Sequence, residues 1–155
     1  MIDDVIIRPS NDSDTIPWDL LLLADPEKSL VESYLKDGFL FLAEYKGKII
    51  GEYVLLAQGS GVIELKNVAV SAAYHGRGLG KKLVLDSIKK AREKKYKTIE
   101  VGTGNSGFVQ LALYQKCGFR MERIERDFFL HYDGGTPIIE NGIRCIDMVI
   151  LSMDL

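Results

Sequence analysis

Residues Tyr74–Leu83 read YHGRGLGKKL, three closely spaced glycines running into a lysine-bearing amphipathic stretch, with the apolar run VIELKNVAV before them. A strand, a glycine turn and a helix in that order expose backbone N–H groups at a helix N-terminus, where the positive end of the helix dipole favours an anion such as a pyrophosphate. Two common phosphate loops do not fit. A P-loop needs four residues between its glycines and a hydroxyl after the lysine, whereas three residues separate Gly76 from Gly80 and Lys82 takes the hydroxyl position. A dinucleotide fingerprint needs Gly-x-Gly-x-x-Gly, whereas Gly76, Gly78 and Gly80 are spaced Gly-x-Gly-x-Gly, with no ribose-binding acid on a following parallel strand. A plain turn that uses glycine for positive φ is the structural alternative.

The elements around the loop are legible from periodicity. Val5–Pro9 has the content of a short strand, and Pro9 ends it by withdrawing a backbone donor. Trp18, Leu22, Leu30, Tyr34 and Leu35 suit two short helices broken near Ala24-Asp25-Pro26, because proline disfavours helical geometry in the residue before it. FLFLAEYKGKIIGEYVLLAQ and GVIELKNVAVS read as three antiparallel strands, split at Lys46-Gly47-Lys48 and Gly59-Ser60-Gly61. Leu79, Leu83, Ile88 and Ala91 make a helix to about Lys95. TIEVGTG (Thr98–Gly104) is a strand, and Gln110–Cys117 is a helix closed by Gly118. The remainder alternates strand, loop and strand, with Asn141-Gly142 as a tight turn between Ile138-Ile139 and IRCIDMVILSM. The expected architecture is α/β (α+β): one domain, 1–155, built on a mixed, mainly antiparallel sheet of about seven strands flanked by about four helices.

Composition excludes several function classes. The 20 Lys and Arg against 22 Asp and Glu leave a net charge of −2, so no overall field holds a nucleic acid. No stretch reaches the roughly 18 apolar residues of a membrane span, and MIDDVIIRPS lacks a signal-peptide pattern. The expected location is the cytoplasm. Cys117 and Cys145 are isolated and lack metal-ligand spacing, so no metal or disulfide is expected.

VAVSAAYHGRGLGKKL resembles motif A of the GNAT superfamily of N-acetyltransferases, a loop reading Gln/Arg-x-x-Gly-x-Gly/Ala that holds the pyrophosphate of acetyl-CoA; here His75 takes the first position and Gly78, Leu79 and Gly80 the last three. LALYQKCGF (Leu111–Phe119) is similar to the superfamily's Tyr-x-x-x-Gly-Phe signature, and the order of elements is also that of the GNAT fold. GTGNSGFVQLALYQKCGFR, DFFLHY and PIIENGIRCIDM are similar to a bacterial subgroup of that superfamily.

The resemblance implies acetyl-CoA as cosubstrate, with His75, Gly76, Arg77, Gly78, Leu79, Gly80 and Lys81 around its pyrophosphate. It implies that Val68, Ala69 and Val70 form the strand segment along the pantetheine arm, the backbone of Val68 and Val70 pairing with it and one N–H polarising the acetyl carbonyl. The fourth and fifth strands would splay to admit that arm, which makes Gly102 and Gly104 bulge positions or simply a strand end.

A lysine-like acceptor amine has a pKa near 10.4 and arrives protonated, so a carboxylate, directly or through a water, should take that proton. Glu64 matches the position where several GNAT enzymes carry a base, and by period-two alternation it shares a face with Val68. An ordinary exposed strand carboxylate is the alternative, and Glu100 is the reserve candidate. The resemblance implies Tyr114 as the acid that protonates the departing sulfur. Asn105 is expected to bind pantetheine or cap a helix. His131 is either a second base or a solvated loop histidine, and Asp127, Asp133 and Glu140 make the loop after the sixth strand suit a cationic acceptor.

The expected activity is acetyl transfer from acetyl-CoA to a primary amine, on a small molecule or a peptide, by direct attack in a ternary complex. A non-catalytic acyl-CoA-binding module is the rival. The apolar last strand, as an edge needing cover, suggests a homodimer.

Overall fold

A computed structural model describes all 155 residues. In chain order the elements are β1 (Ile6–Pro9), α1 (Trp18–Ala24), α2 (Lys28–Leu35), β2 (Phe39–Tyr45), β3 (Lys48–Gly59), β4 (Val62–Val70), α3 (Leu79–Glu93), β5 (Thr98–Gly104), α4 (Phe108–Lys116), β6 (Arg120–Glu125), β7 (Ile139–Glu140), β8 (Ile143–Arg144) and β9 (Met148–Asp154). Seven strands form one sheet in the order β1-β2-β3-β4-β5-β9-β6, antiparallel except for β4 against β5; β7 and β8 make a separate hairpin. This is the mixed, mainly antiparallel sheet with four helices that the pattern of the sequence implies.

Helices cover both faces. On one, α3 lays Leu79, Leu83, Val84, Ile88 and Ala91 against Phe41, Ile50, Tyr53, Leu55, Ile63 and Leu65. Fully burying one such leucine is worth about 1.5–3 kcal/mol, so this stripe fixes α3 and with it the loop at its start. On the other face α1 and α2 place Leu21, Val31 and Tyr34 over Val54, with Leu40 and Leu56 beside them. The α1–α2 break falls at Asp25-Pro26-Glu27, as proline dictates.

Two expectations about the last strand are corrected. IRCIDMVILSM is not one strand: Cys145, Ile146 and Asp147 separate β8 from β9, because Asn105 Oδ1 accepts the Ile146 and Asp147 N–H groups at 2.8 and 3.0 Å and takes them out of any ladder. Nor is β9 an edge. It lies between β5 and β6, so the edge argument for a homodimer falls; the edges are β1 and β6, and β6 carries Arg120, Glu122, Arg123 and Glu125, charges that discourage further pairing. No helix is long and apolar enough to cross a membrane.

Candidate active site

The parallel β4·β5 pair holds only from Val62↔Thr98 to Leu65↔Val101. Beyond it the two strands part, and a cleft of about 790 Å³ opens between them. Its wall takes in β4 from Glu64 to Val70, Gly102 to Gly104 on β5, Tyr114 on α4, Asp25 at the α1–α2 break, and Phe128, Phe129 and Tyr132 from the loop after β6. The splay expected between the fourth and fifth strands is present.

Gly102 and Gly104 are not bulges. Both sit in unbroken register with β9, opposite Ile150 and Met148. Glycine is required there because neighbouring side chains cross the strand: a Cβ on Gly102 would lie 2.6 Å from Met148 Sδ, and one on Gly104 would overlap Cys145 Sγ.

The bulge lies on β4 instead. Val54 and Leu55 are consecutive on β3 but face Asn67 and Leu65, so Lys66 is the extra residue. This overturns the expected shared face of Glu64 and Val68. Glu64 stands opposite Leu56, on the side of α1 and α2, whereas Val68 stands opposite Tyr53, whose hydroxyl donates to Asp86 of α3 on the other side. Both still reach the cleft, because the cleft runs through the split sheet.

Backbone direction matters as much as side chains here. The Ser71 N–H bonds to Ile50 of β3 at 2.8 Å, so by the antiparallel alternation Ala69 also turns its backbone toward β3, and Val68 and Val70 turn theirs to the open side. The Val70 carbonyl accepts a bond from the His75 ring at 2.7 Å. The Val68 N–H thus faces the cleft with no strand to receive it, and His75 ties the glycine loop to the end of β4.

That loop is shaped for an anion. Gly76 and Gly78 adopt φ of +74° and +82°, and Gly78 is the residue from which α3 starts. From Gly76 through Arg77, Gly78, Leu79 and Gly80 to Lys81, no backbone N–H has an acceptor within the chain; the first N–H bonded after them is that of Lys82, to Gly78 at 3.1 Å. A run of unpaired N–H groups at the start of a helix of 15 residues fits a pyrophosphate. The Lys82 ammonium is not part of the cradle: it donates to the Ile2 and Val5 carbonyls. Arg77 lies over the Tyr74 ring, and the loop is solvent-exposed apart from Leu79 and Gly80.

Tyr114 is buried on α4 against Phe119, because Gly118, at φ +106°, folds the chain back beneath it. Burial, with a smaller contribution from Cys117, pushes its phenol up to about 12, so it carries its proton at neutral pH. Glu64 is held by Gln58 at 3.0 Å and lies 3.7 Å from Lys66. Its carboxyl is raised above the usual range, first by burial; Lys66 opposes the shift and Glu100 adds to it. Glu100 faces a side pocket that it shares with Glu64, and is ion-paired to Arg123 at 3.0 Å.

Three loop expectations resolve. Asn105 neither lines the cleft nor caps α4; its side chain is spent on the 144–147 segment. His131 is exposed and outside the cleft. Asp133 and Glu140 line the cleft, whereas Asp127 lies outside it, its backbone N–H donating to the Asp147 carboxylate.

The sequence reading missed Asp25, Asn67 and Tyr132. Tyr132 donates to Asp25, and the Asp133 N–H donates to Glu27 at 3.0 Å, so the loop after β6 closes over the α1–α2 break. Asn67 had one signal, a polar residue within an apolar strand.

The chain matches the model of the Acetyltransferase (GNAT) family over residues 9–119. It is 51% identical over 139 residues to the uncharacterized N-acetyltransferase YvbK of Bacillus subtilis, covering 89% of this chain and 88% of that one. A GNAT family acetyltransferase from Elizabethkingia anophelis, crystallised with acetyl-CoA bound, superposes with a TM-score of 0.95 at 47% identity over 99% of both chains. A Bacillus subtilis acetyltransferase in complex with CoA gives 0.92 at 47% identity, over 97% of this chain and 99% of that one.

Proposed function

The chain belongs to the GNAT family of acetyltransferases and takes acetyl-CoA as its cosubstrate, and on that premise we propose that it acetylates a primary amine by direct attack within a ternary complex. The observation that carries this reading is the cleft itself: a raised carboxyl, Glu64, and a protonated phenol, Tyr114, line one cavity together with Val68, whose N–H is unpaired. Transfer to an amine needs those three functions. Glu64, directly or through a water, takes the extra proton of the ammonium; the freed nitrogen forms its bond to the acetyl carbon; the carbon–sulfur bond breaks and Tyr114 protonates the thiolate, and the second proton, shed by the new amide nitrogen, makes good through solvent the one that Tyr114 gave. The Val68 N–H steadies the negative charge that gathers on the acetyl oxygen.

An amine acceptor also suits the charge of the wall. Asp25, Glu64, Asp133 and Glu140 line it against Lys66 and His75, a balance that draws in a cation. For the cosubstrate, the unpaired N–H groups of Gly76–Lys81 are the pyrophosphate seat, with Arg77 and Lys81 as nearby charge and Val68 and Val70 as the backbone edge for the pantetheine amides.

The test is a screen of polyamines, amino acids, amino sugars and peptides with free N-termini, followed by Tyr114→Phe on the best acceptor. Loss of the general acid should lower kcat by about 10²–10⁴-fold while CoA affinity changes less than about twofold. A chain that binds CoA yet acetylates no amine, or whose Tyr114→Phe variant is unchanged in turnover, would belong to a binding module instead.

A further inference from the structure

Asn67 is a polar side chain that the fold leaves half used. It follows the bulge residue Lys66, is only 3% exposed, and forms part of the cleft wall. Its Nδ2 donates to the Leu21 carbonyl at 3.0 Å and to the Tyr34 hydroxyl at 2.9 Å. The Leu21 carbonyl can only accept, so the NH₂ end must face it and the amide cannot be flipped. Oδ1 is thereby turned away, buried, with no donor in the chain.

A buried acceptor left without a partner costs about 1–3 kcal/mol. Evolution could have placed an apolar residue there at no such cost, as it did at Val54, the buried residue directly opposite on β3. An oxygen fixed by two bonds on one side and unpaired on the other is pre-organised for a donor from outside. The charge leading to it points to the kind of donor. The Tyr34 hydroxyl that accepts from Asn67 donates in turn to Asp25 at 3.4 Å, and Tyr132 also donates to Asp25. A carboxylate of the cleft wall therefore stands one hydroxyl from Asn67, on its Nδ2 side, and the acidic wall of Asp25, Glu64, Asp133 and Glu140 draws an ammonium into the cleft that Asn67 lines.

We propose that Asn67 Oδ1 receives one N–H of the acceptor's attacking nitrogen, so that Asn67 seats the nucleophile and selects primary over N-alkylated amines. This rests on the amine reading above. The hydrogen count carries the selectivity. Once the ammonium has given its extra proton to Glu64 or its water, a primary amine keeps two N–H groups: one proton is shed as the C–N bond forms, and the other stays on nitrogen as the product amide N–H, bonded to Asn67. An N-methyl amine keeps one N–H, which must be shed as the C–N bond forms, so Oδ1 is left unpaired on the way to product.

The experiment compares wild type, Asn67→Leu and Asn67→Asp on 1,4-diaminobutane, tyramine and alanine amide, each beside its N-methyl counterpart. Both variants lose the Nδ2 bonds to Leu21 and Tyr34, but only aspartate keeps an oxygen for the amine. Expected are a primary-amine preference of about tenfold or more in wild type, its collapse in Asn67→Leu through a fall in kcat/KM for the primary amine alone, and its survival in Asn67→Asp. The KM for acetyl-CoA should move less than about twofold. Should leucine not fold at this site, Asn67→Ala carries the same expectation. Equal losses in leucine and aspartate variants, or an unchanged preference in the leucine variant, would reduce Asn67 to a support for α1 while leaving the amine reading intact. A wild-type enzyme inert toward all three primary amines would overturn that reading, and this inference with it.

Discussion

Glu64 acquires its chemistry from where β4 puts it: mostly withdrawn from water, in register with Glu100 on the parallel strand, and with Lys66 as a partial counterweight. The first and largest cause, burial, disfavours the charged form, and Glu100 adds to it, so the carboxyl ionises above the ordinary 4.5. A base works only when deprotonated. With acetyl-CoA saturating, kcat/KM for the amine should therefore rise with pH through an apparent value above 4.5 before it levels. Glu64→Gln should remove that limb and lower the rate by about 10²–10⁴-fold. A Gln variant that keeps both rate and limb would transfer the role to Glu100, the reserve, whose tether to Arg123 makes it the less mobile acid. The residue types were readable in the sequence, since a glutamate in an apolar strand and a tyrosine before Gly-Phe stand out. Their surroundings were not, because the bulge at Lys66 is a mismatch with β3 and alternation along β4 alone gives no sign of it.

The glycine loop and α3 act as one element, and two of its glycines predict opposite outcomes. Gly78 starts α3 at φ +82°, a conformation that costs an L-residue about 1–2 kcal/mol. Gly78→Ala should force the loop to rearrange, spoil the alignment of the N–H groups from Gly76 to Lys81, and weaken CoA binding by about tenfold or more in a calorimetric titration. Gly80 lies inside the helix without a positive φ, and a Cβ there would meet only Leu113 Cδ2 at 3.8 Å. Gly80→Ala should keep CoA affinity and stabilise the helix by about 0.5–1 kcal/mol. Equal weakening in both would mean that loop flexibility, rather than the geometry at Gly78, sets affinity. Elements of this kind were legible because their causes are local: apolar spacing gave α3, and glycine and proline gave the boundaries of α1, α2 and the three strands β2, β3 and β4. The break before β9 was hidden because its cause is Asn105, some forty positions away in the chain. Of the two readings of the β5 glycines, the strand end holds for Gly104 and the bulge fails for both, for the same reason, since what they make room for, Met148 and Cys145, comes from beyond β6.

Across the whole molecule, two carboxyls tilt stability with pH in opposite directions. Asp14, paired with Arg8 at 2.8 Å, is held at about 2, below its ordinary 3.8. Its contribution is present above 3.8 and is lost as pH falls through about 2. Glu52 is the reverse case. It lies on β3 between Leu42 and Ala69, is fully buried on the face under α1 and α2, and neither oxygen has a partner. Burial alone pushes it well above 4.5, so the native chain keeps a proton that the unfolded chain gives up. The native state then binds more protons, and stability must fall as pH rises, by about 1.4 kcal/mol per unit between the unfolded value and the raised native one. Glu52→Gln keeps the volume and removes the titration. It should melt higher than wild type at pH 8, with the difference shrinking as pH falls to 4.5, where half of the unfolded chains also hold the proton. A difference in Tm that is the same at both pH values would mean that the buried carboxyl is not neutral in the native state, and that the sheet beneath α1 and α2 admits a counter-charge or water to it.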